Sequence, residues 1–155
     1  MGELNKGWPL LQRALQKATV LQCAEIDGAC SEVQRMSVEY AKDRVQYGVP
    51  IGIHQSIQWK CVDMGDAINK ARILTHTAAT ALADDEPALL EAALAKACAS
   101  QTARFCAYEA HQIFSGAGQL VEHPLSLYSP RLKLMEANLG DADYHLNKIA
   151  EAMDL

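Results

Sequence analysis

The feature that most constrains the fold is a largely apolar stripe that repeats every three or four residues along the middle of the chain. Its members are Ile57, Cys61, Met64, Ile68, Ala71, Thr75, Ala78 and Leu82. Steps of four and three place side chains on one face of an α-helix, whereas a strand needs alternation at every second residue. The stripe therefore predicts one long helix over about residues 54–83 with a single buried face.

A second stripe predicts a longer helix ahead of this one, over residues 9–45. Its members are Ile26, Cys30, Val33, Ser37 and Tyr40, and Arg44 continues the same face. Pro9 suits the first turn of such a helix, and the segment GVPIG at 48–52 ends it. Gly28 lies inside the helix, where glycine costs about 1 kcal/mol against alanine. We therefore expect a neighbouring helix to pack closely at Gly28.

A third helix is predicted between Pro87 and the glycine-rich segment SGAG at 115–118. The acidic residues at 84–86 suit the positive end of its helix dipole. Its buried face is expected to carry Leu90, Leu94, Cys98, Phe105 and Gln112.

The C-terminal part contains shorter elements. Pro124 and Pro130 are expected to bracket a loop, followed by a helix over residues 131–138. A terminal helix is predicted over residues 142–153, with Asp141 as its N-cap. Half of all residues are apolar and 6% are aromatic, a composition that favours helix over sheet. These patterns predict an all-α fold, a single domain over residues 1–155 that forms an up-down-up-down four-helix bundle.

Composition and charge argue against several classes of function. The formal net charge is −5 and no basic stripe lies on one face, so we expect no nucleic-acid partner. No apolar run approaches the roughly 18 to 20 residues of a membrane span. The five cysteines contain no CxxC pair and the five histidines no HExxH motif, so no metal site is predicted. We expect a protein of the reducing cytoplasm.

Two segments carry residues that suit a ligand. Arg44 ends the first predicted helix and Gln55 lies at the start of the next, so that a guanidinium and free helix N–H groups together favour an anion site. The alternative is that Arg44 caps its own helix. The glycine-rich turn after Gln112 either lets a ligand approach the backbone closely or serves only as a C-cap.

These same segments resemble the C-terminal domain of the acyl-CoA dehydrogenase family. Residues 40–51 read YAKDRVQYGVPI, with Gln55 four residues further on, and are similar to the family's signature Y-A-x-x-R-x-x-F-G-x-P-I…Q. Residues 112–118 read QIFSGAG and residues 122–125 read EHPL, which resembles the family's segment Q-I-x-G-G-x-G…E-x-P-L. The resemblance covers nearly the whole chain, and the segment GELNKGW at 2–8 looks like the loop that leaves the family's middle domain.

The resemblance implies a reaction, a cofactor and partners. Enzymes of this family remove hydrogens from the α and β carbons of an acyl-CoA thioester and pass a hydride to FAD. By this resemblance, Arg44 contacts the FAD diphosphate, with Tyr47 and Gln55 near it, while Gln112 and Gly116 line the ADP half of the cofactor. The implied partners are acyl-CoA, an electron-transfer flavoprotein and further copies of the chain, because the family's bundle builds the oligomer.

The family's catalytic base is missing from both of its usual places. Counting without gaps from Glu122, the glutamate of the family's Y-E-G-T segment falls on Leu139, and the alternative position on the first helix falls on Ala18. Three explanations remain open. The parent protein is a silent subunit paired with a catalytic one, it uses a base from its middle domain, or Glu136 or Glu25 takes over after a local shift.

The sequence thus predicts a domain of an acyl-CoA dehydrogenase-like flavoprotein that contributes FAD contacts and an oligomer interface, with no catalytic residue assigned. Because the β domain that holds the flavin ring is not part of this chain, the isolated domain is expected to be inactive and to bind FAD weakly or not at all. Ser115, in place of the first glycine of the family's G-G pair, is a further departure. A stand-alone helical scaffold and an unrelated four-helix binding module are the alternatives.

Overall fold

The computed structural model describes residues 6–84 and 88–154. Its α-helices are α1 (Trp8–Asp43), α2 (Gln55–Ala83), α3 (Leu89–Phe114), α4 (Leu125–Ala137) and α5 (Ala142–Ala152). A two-stranded hairpin of β1 (Val45–Gln46) and β2 (Val49–Pro50) joins α1 to α2, and short 3-10 helices cover Ile51–Ile53 and Ser115–Gln119. The predicted all-α bundle is confirmed. The three long helices pack against one another, and the shorter α4 and α5 pack on α3.

The predicted stripes of α1 and α2 form the core. Ile26, Cys30, Val33 and Ser37 of α1 are buried, as are Met64, Ile68, Ala71, Thr75 and Ala78 of α2. At the ends of the stripes Tyr40, Ile57 and Leu82 are half-buried, and Arg44 is exposed. Helix α1 ends at Asp43, two residues earlier than predicted. Burial raises the pKa of the Cys23 thiol to about 12. This cysteine therefore stays protonated and packs as a small apolar side chain.

The predicted face of α3 is only partly confirmed, because Leu90, Cys98 and Phe105 are half-buried and lie at the edge of the buried stripe. Its buried stripe is made of small side chains, namely Ala92, Ala95, Ala99, Ala103, Cys106 and Ala110, followed by Ile113. Leu94 and Gln112 are exposed instead. Because α3 contacts all four other helices, it is the central helix of the bundle, and alanine lets its neighbours approach closely. The predicted start of α3 at Pro87, with the acidic residues 85 and 86, lies outside the described residues.

The predicted loop between Pro124 and Pro130 is instead the first part of α4, which runs through Pro130. A proline inside a helix removes one backbone hydrogen bond. Here the buried side chains of Leu125 and Leu132 hold the helix on the core on both sides of the proline. Tertiary packing therefore overrides the local signal.

Of two predictions about single helix positions, the N-cap at Asp141 is confirmed and the close packing at Gly28 is not. Asp141 caps α5 as predicted, because its Oδ1 accepts a hydrogen bond of 2.9 Å from the N–H of Tyr144. The expected close packing at Gly28 is wrong, because a Cβ at this position would have no atom within 4 Å. Gly28 lies on the exposed side of α1 and costs helix stability without a packing reason.

Candidate functional site

A cleft of about 360 Å³ opens where the end of α1 meets the end of α3. It brings together Arg44 and Gly116, which are far apart in the sequence and were both predicted to bind the same ligand. The cleft is lined by Tyr40, Arg44, Gln46, Ile51, Ile113, Phe114, Ser115, Gly116 and Ala117.

The backbone of Arg44 is fixed on both sides of the residue. Its N–H donates to the carbonyl of Tyr40 at 2.8 Å, and its carbonyl accepts from the N–H of Ile51 at 2.9 Å. Within the described part of the chain, its guanidinium makes no ion pair and no hydrogen bond. Arg44 is thus the C-cap residue of α1 through its backbone N–H, as the alternative predicted, and this role leaves its guanidinium free. An exposed, unpaired guanidinium on a fixed backbone suits an anion.

Of the two glycines in the turn after α3, the fold requires only one. A Cβ at Gly118 would lie 2.9 Å from the Cβ of Phe114 and 3.1 Å from Cδ2 of Leu125, so this position must be glycine for packing. A Cβ at Gly116 would have nothing within 4 Å, and its φ is not in the left-handed region. The fold itself therefore does not require glycine at 116, although this residue lines the cleft.

An aromatic row braces the wall of the cleft. The ring centroids of Tyr40 and Phe114 lie 4.7 Å apart, and those of Phe114 and His123 lie 4.4 Å apart. Nδ1 of His123 in turn accepts the N–H of Leu125 at 3.1 Å, at the start of α4. These contacts tie α1, α3 and α4 together beneath the turn, so that Arg44 and the turn are held at a fixed separation.

The other three predicted ligand residues do not line the cleft. Tyr47 sits at the tip of the hairpin, 97% exposed and with φ 53°, next to Gly48 with φ 81°. Positive φ at both residues is the geometry of a type I′ turn. Gln55 is the first residue of α2, where the N-cap His54 makes no side-chain capping bond, and Gln112 lies exposed near the end of α3.

A second cavity, of about 720 Å³, lies at the other end of the bundle. It is lined by Trp8, Gln12, Leu15, Gln16, Thr19, Leu89, Ala92, Ala93, Leu139, Gly140, Tyr144, His145, Lys148, Glu151 and Ala152. Thr19 and Tyr40 are 21 positions apart on α1, which places the two cavities about 30 Å apart along the helix. Leu139, on which the position of the family's base falls when the residues are counted without gaps, lines this second cavity with φ 59°.

Neither glutamate that was considered as a substitute base is free to act there. Glu25 is paired with Arg131, whose Nε lies 3.1 Å from Oε1 of the carboxylate. Oε2 of Glu136 accepts from Lys133 at 3.0 Å. Neither carboxylate lines the cavity. The only carboxylate that does so, among the described residues, is that of Glu151 on α5.

A buried lysine that the sequence analysis missed holds the loop at Leu139. Lys96 of α3 is fully buried, and its Nζ donates to Oγ of Ser100 at 2.8 Å and to the carbonyls of Met135 and Glu136 at 2.9 and 3.1 Å. Burial lowers the pKa of Lys96. The ammonium group satisfies the last carbonyls of α4, directly before Leu139. The small residues on both sides of Lys96, in the segment ALAKACAS at 93–100, are the one sequence signal that this part of α3 is closely packed.

A histidine completes this arrangement. Nε2 of His145, on α5, lies 3.0 Å from the carbonyl of Leu139. Because a carbonyl only accepts, Nε2 carries the proton and Nδ1 does not. Nδ1 is buried and has no hydrogen-bond partner among the residues that the structure describes. Burial lowers the pKa of His145, which keeps the ring in this neutral form.

The same segments match a known family of domains. The family model "Acyl-CoA dehydrogenase, C-terminal domain" matches residues 5–154. The chain belongs to this family. The matched range contains both segments on which the resemblance rests, so the origin of the domain no longer depends on short motifs alone.

Relatives and solved structures agree with this assignment. Acryloyl-CoA reductase (NADH) of Anaerotignum propionicum is 33% identical over 150 residues, which are 97% of this chain and 38% of that protein. Butyryl-CoA dehydrogenase from Megasphaera elsdenii superposes with a TM-score of 0.94 at 32% identity, over 99% of this chain and 40% of that one. The structure of PigA with FAD and proline has a TM-score of 0.86 at 25% identity, over 91% and 37% of the two chains.

This acyl-CoA dehydrogenase domain thus spans about two fifths of the length of the relatives it matches. Among the described residues, no helix combines the length and hydrophobicity that a membrane span needs. Residues 6–84 and 88–154 also contain no group of three histidine, cysteine or carboxylate side chains close enough to share a metal ion.

Proposed function

We propose that the domain serves an FAD-dependent acyl-CoA dehydrogenase and that the cleft between Arg44 and Gly116 holds the phosphate region of the FAD. The observation that carries this proposal is the convergence of an unpaired guanidinium and a glycine-rich turn on one cleft. A volume of about 360 Å³ is near the lower end of small-molecule sites, so the cleft accommodates part of a dinucleotide and not the whole.

The residues present fit such a group. The fork of N–H donors on Arg44 suits the charge and geometry of a diphosphate. Gly116 lines the cleft, and without a side chain it lets a ligand approach the backbone closely. When bound, FAD supplies the acceptor for the hydride that leaves the acyl chain. Tyr47, Gln55 and Gln112 lie outside this cleft and are proposed to meet the cofactor only in the assembled protein.

Substitution of Arg44 tests this proposal in the full-length protein. Arg44→Gln removes the charge and the fork of donors, and a hydrogen bond to a charged group contributes about 1.5–3 kcal/mol. We therefore expect the dissociation constant for FAD, measured by flavin fluorescence, to rise by about 10- to 100-fold. Arg104→Gln is the matched control, because Arg104 is an exposed arginine of α3 that lines neither cavity. Equal FAD affinity of both variants would contradict the proposal.

A second candidate function is that of a silent subunit, which binds FAD or a partner but abstracts no proton. Leucine at position 139 favours it, because a hydrocarbon side chain cannot accept a proton and a general base is worth about 10²- to 10⁴-fold in rate. The full-length protein alone would then fail to reduce its FAD when mixed with a saturated acyl-CoA. Rapid bleaching of the flavin absorbance by the protein alone would reject this candidate in favour of a base from another domain.

We also propose that the domain self-associates and that electron-transfer flavoprotein accepts electrons from the full-length enzyme. On α2, Trp59, Val62 and Ile73 are 60%, 66% and 65% exposed. At 100° per residue their positions fall within about 60° of one another, on the side of α2 opposite to the buried stripe. Exposed large apolar side chains that share one face of a helix favour an interface. A stand-alone scaffold would share this surface but would not need Arg44.

A further inference from the structure

Ser115, which lines the same cleft as Arg44, has an unusual backbone conformation. It ends α3 with φ 52° and ψ −133°, a conformation that costs free energy for any residue with a Cβ and that glycine adopts freely. Its neighbour Gly116, which would be free to adopt such a conformation, does not have positive φ. The turn thus places its serine where glycine is favoured and its glycine where it is not required.

The serine side chain contributes nothing to the fold that offsets this cost. Its backbone N–H donates to the carbonyl of His111, which a glycine would do equally well. Within the described residues, its hydroxyl makes no hydrogen bond, and the residue is exposed. What serine adds over glycine at this position is therefore a free hydroxyl group at the wall of the cleft.

We propose that the hydroxyl of Ser115 donates a hydrogen bond to a phosphate oxygen of the dinucleotide that Arg44 binds. The inference rests on the proposed function and adds a contact to the same site. A hydroxyl is a donor that can rotate toward an anionic oxygen, and the guanidinium of Arg44, which lines the same cleft, neutralises the remaining charge. Backbone strain at a residue that lines a ligand cleft, with no contact in the fold that compensates for it, is typical of a binding residue.

Two substitutions separate the hydroxyl from the backbone strain. Ser115→Ala removes only the hydroxyl, and Ser115→Gly removes the hydroxyl and the strain. In the full-length protein, we expect both to weaken FAD binding by about 2- to 10-fold, the range of one neutral hydrogen bond. Thermal unfolding then distinguishes them, since Ser115→Gly should raise the midpoint by a few degrees while Ser115→Ala leaves it unchanged. Thr80→Ala, which removes an exposed hydroxyl of α2 outside both cavities, is the control.

A double-mutant cycle with Arg44→Gln shows whether the two side chains act on one group. If both contact the same diphosphate, the loss in Arg44→Gln/Ser115→Ala is not the product of the single losses. Wild-type FAD affinity in Ser115→Ala, with weak binding in Arg44→Gln, would overturn the serine contact and leave the proposed function standing. A wild-type protein that binds no FAD, or an Arg44→Gln variant that binds as well as wild type, would overturn both.

Discussion

At the scale of single residues, the turn after α3 shows that two glycines of one motif, Gly116 and Gly118, are explained by different physical causes. Gly118 is enclosed by Phe114 and Leu125, so a methyl group there must displace packed atoms. Gly116 lines the cleft, and an added Cβ there would meet no atom within 4 Å. The first is a requirement of the fold and the second, by our proposal, is a requirement of a bound ligand.

Alanine substitutions at the two glycines should therefore differ in stability. Gly118→Ala is expected to lower the free energy of unfolding by about 1–3 kcal/mol, the usual cost of overpacking. Gly116→Ala should change it by less than about 0.5 kcal/mol, as for other exposed positions. Urea denaturation of the two variants, followed by circular dichroism, measures both values. A comparable loss in both would mean that the turn needs glycine at 116 for its own folding.

The buried His145 predicts a dependence of stability on pH. Its pKa in the folded protein is lowered from the ordinary value of 6.5, mainly by burial. Between the two pKa values the unfolded chain binds the proton and the folded one does not, so stability falls as the pH drops below about 6.5, by at most about 1.4 kcal/mol per pH unit. Above 6.5 this contribution is constant.

Substitution of this histidine isolates its contribution. In His145→Gln, the side-chain amide can still donate to the carbonyl of Leu139 and does not titrate. Denaturant midpoints from pH 5 to 8 should therefore fall less steeply on the acid side in the variant than in wild type. Identical profiles would show that another group carries the acid dependence.

At the scale of helices, the sequence predicted those elements whose partners lie on one side. The stripes of α1 and α2 mark their buried faces correctly because each helix has one side in the core. The face of α3 could not be found in the same way, because a helix enclosed by four others selects small side chains rather than large apolar ones. The helix through Pro130 was missed because the contacts that hold it, at Leu125 and Leu132, come from the tertiary fold.

The exposed glycine of α1 gives a prediction at this scale. Gly28 lies in mid-helix with no neighbour that would meet a Cβ. Gly28→Ala is expected to raise the free energy of unfolding by about 1 kcal/mol, because alanine loses less backbone entropy on forming helix. A rise in the midpoint of thermal unfolding measures the effect. A lower midpoint would show that the assembled protein places another surface against this position.

The alanine stripe of α3 predicts the opposite response to added volume. Ala99 is fully buried at the centre of the bundle, so Ala99→Leu should cost about 1–3 kcal/mol through overpacking. Leu94→Ala on the same helix is the control, because this leucine is 36% exposed and its loss should cost much less. Chemical denaturation of both variants tests whether α3 is the central helix.

At the scale of the whole molecule, the bundle separates two chemical environments by the length of α1. One end carries the polar cleft with Arg44, and the other carries the larger cavity beside Leu139. Arg44 and Gly116 could be assigned to one ligand from the sequence only because both lie in family motifs, since periodicity gives no distance between residues of different helices. Lys96, which holds the loop at Leu139, was not predicted, because two of its three partners are backbone carbonyls of α4, which carry no sequence signal.

The outer face of α2 carries the last prediction, which concerns assembly. If Trp59, Val62 and Ile73 form an interface between copies of the chain, the isolated domain should be a dimer or tetramer in sedimentation experiments at tens of micromolar. Ile73→Lys places a charge on this face and should shift the distribution to monomer. Because Ile73 is 65% exposed, the variant should keep the helical circular dichroism of the wild-type domain. Asn147→Lys, at an exposed position of α5 away from this face, is the control for added charge. A wild-type domain that sediments as a monomer at these concentrations would contradict self-association through this face.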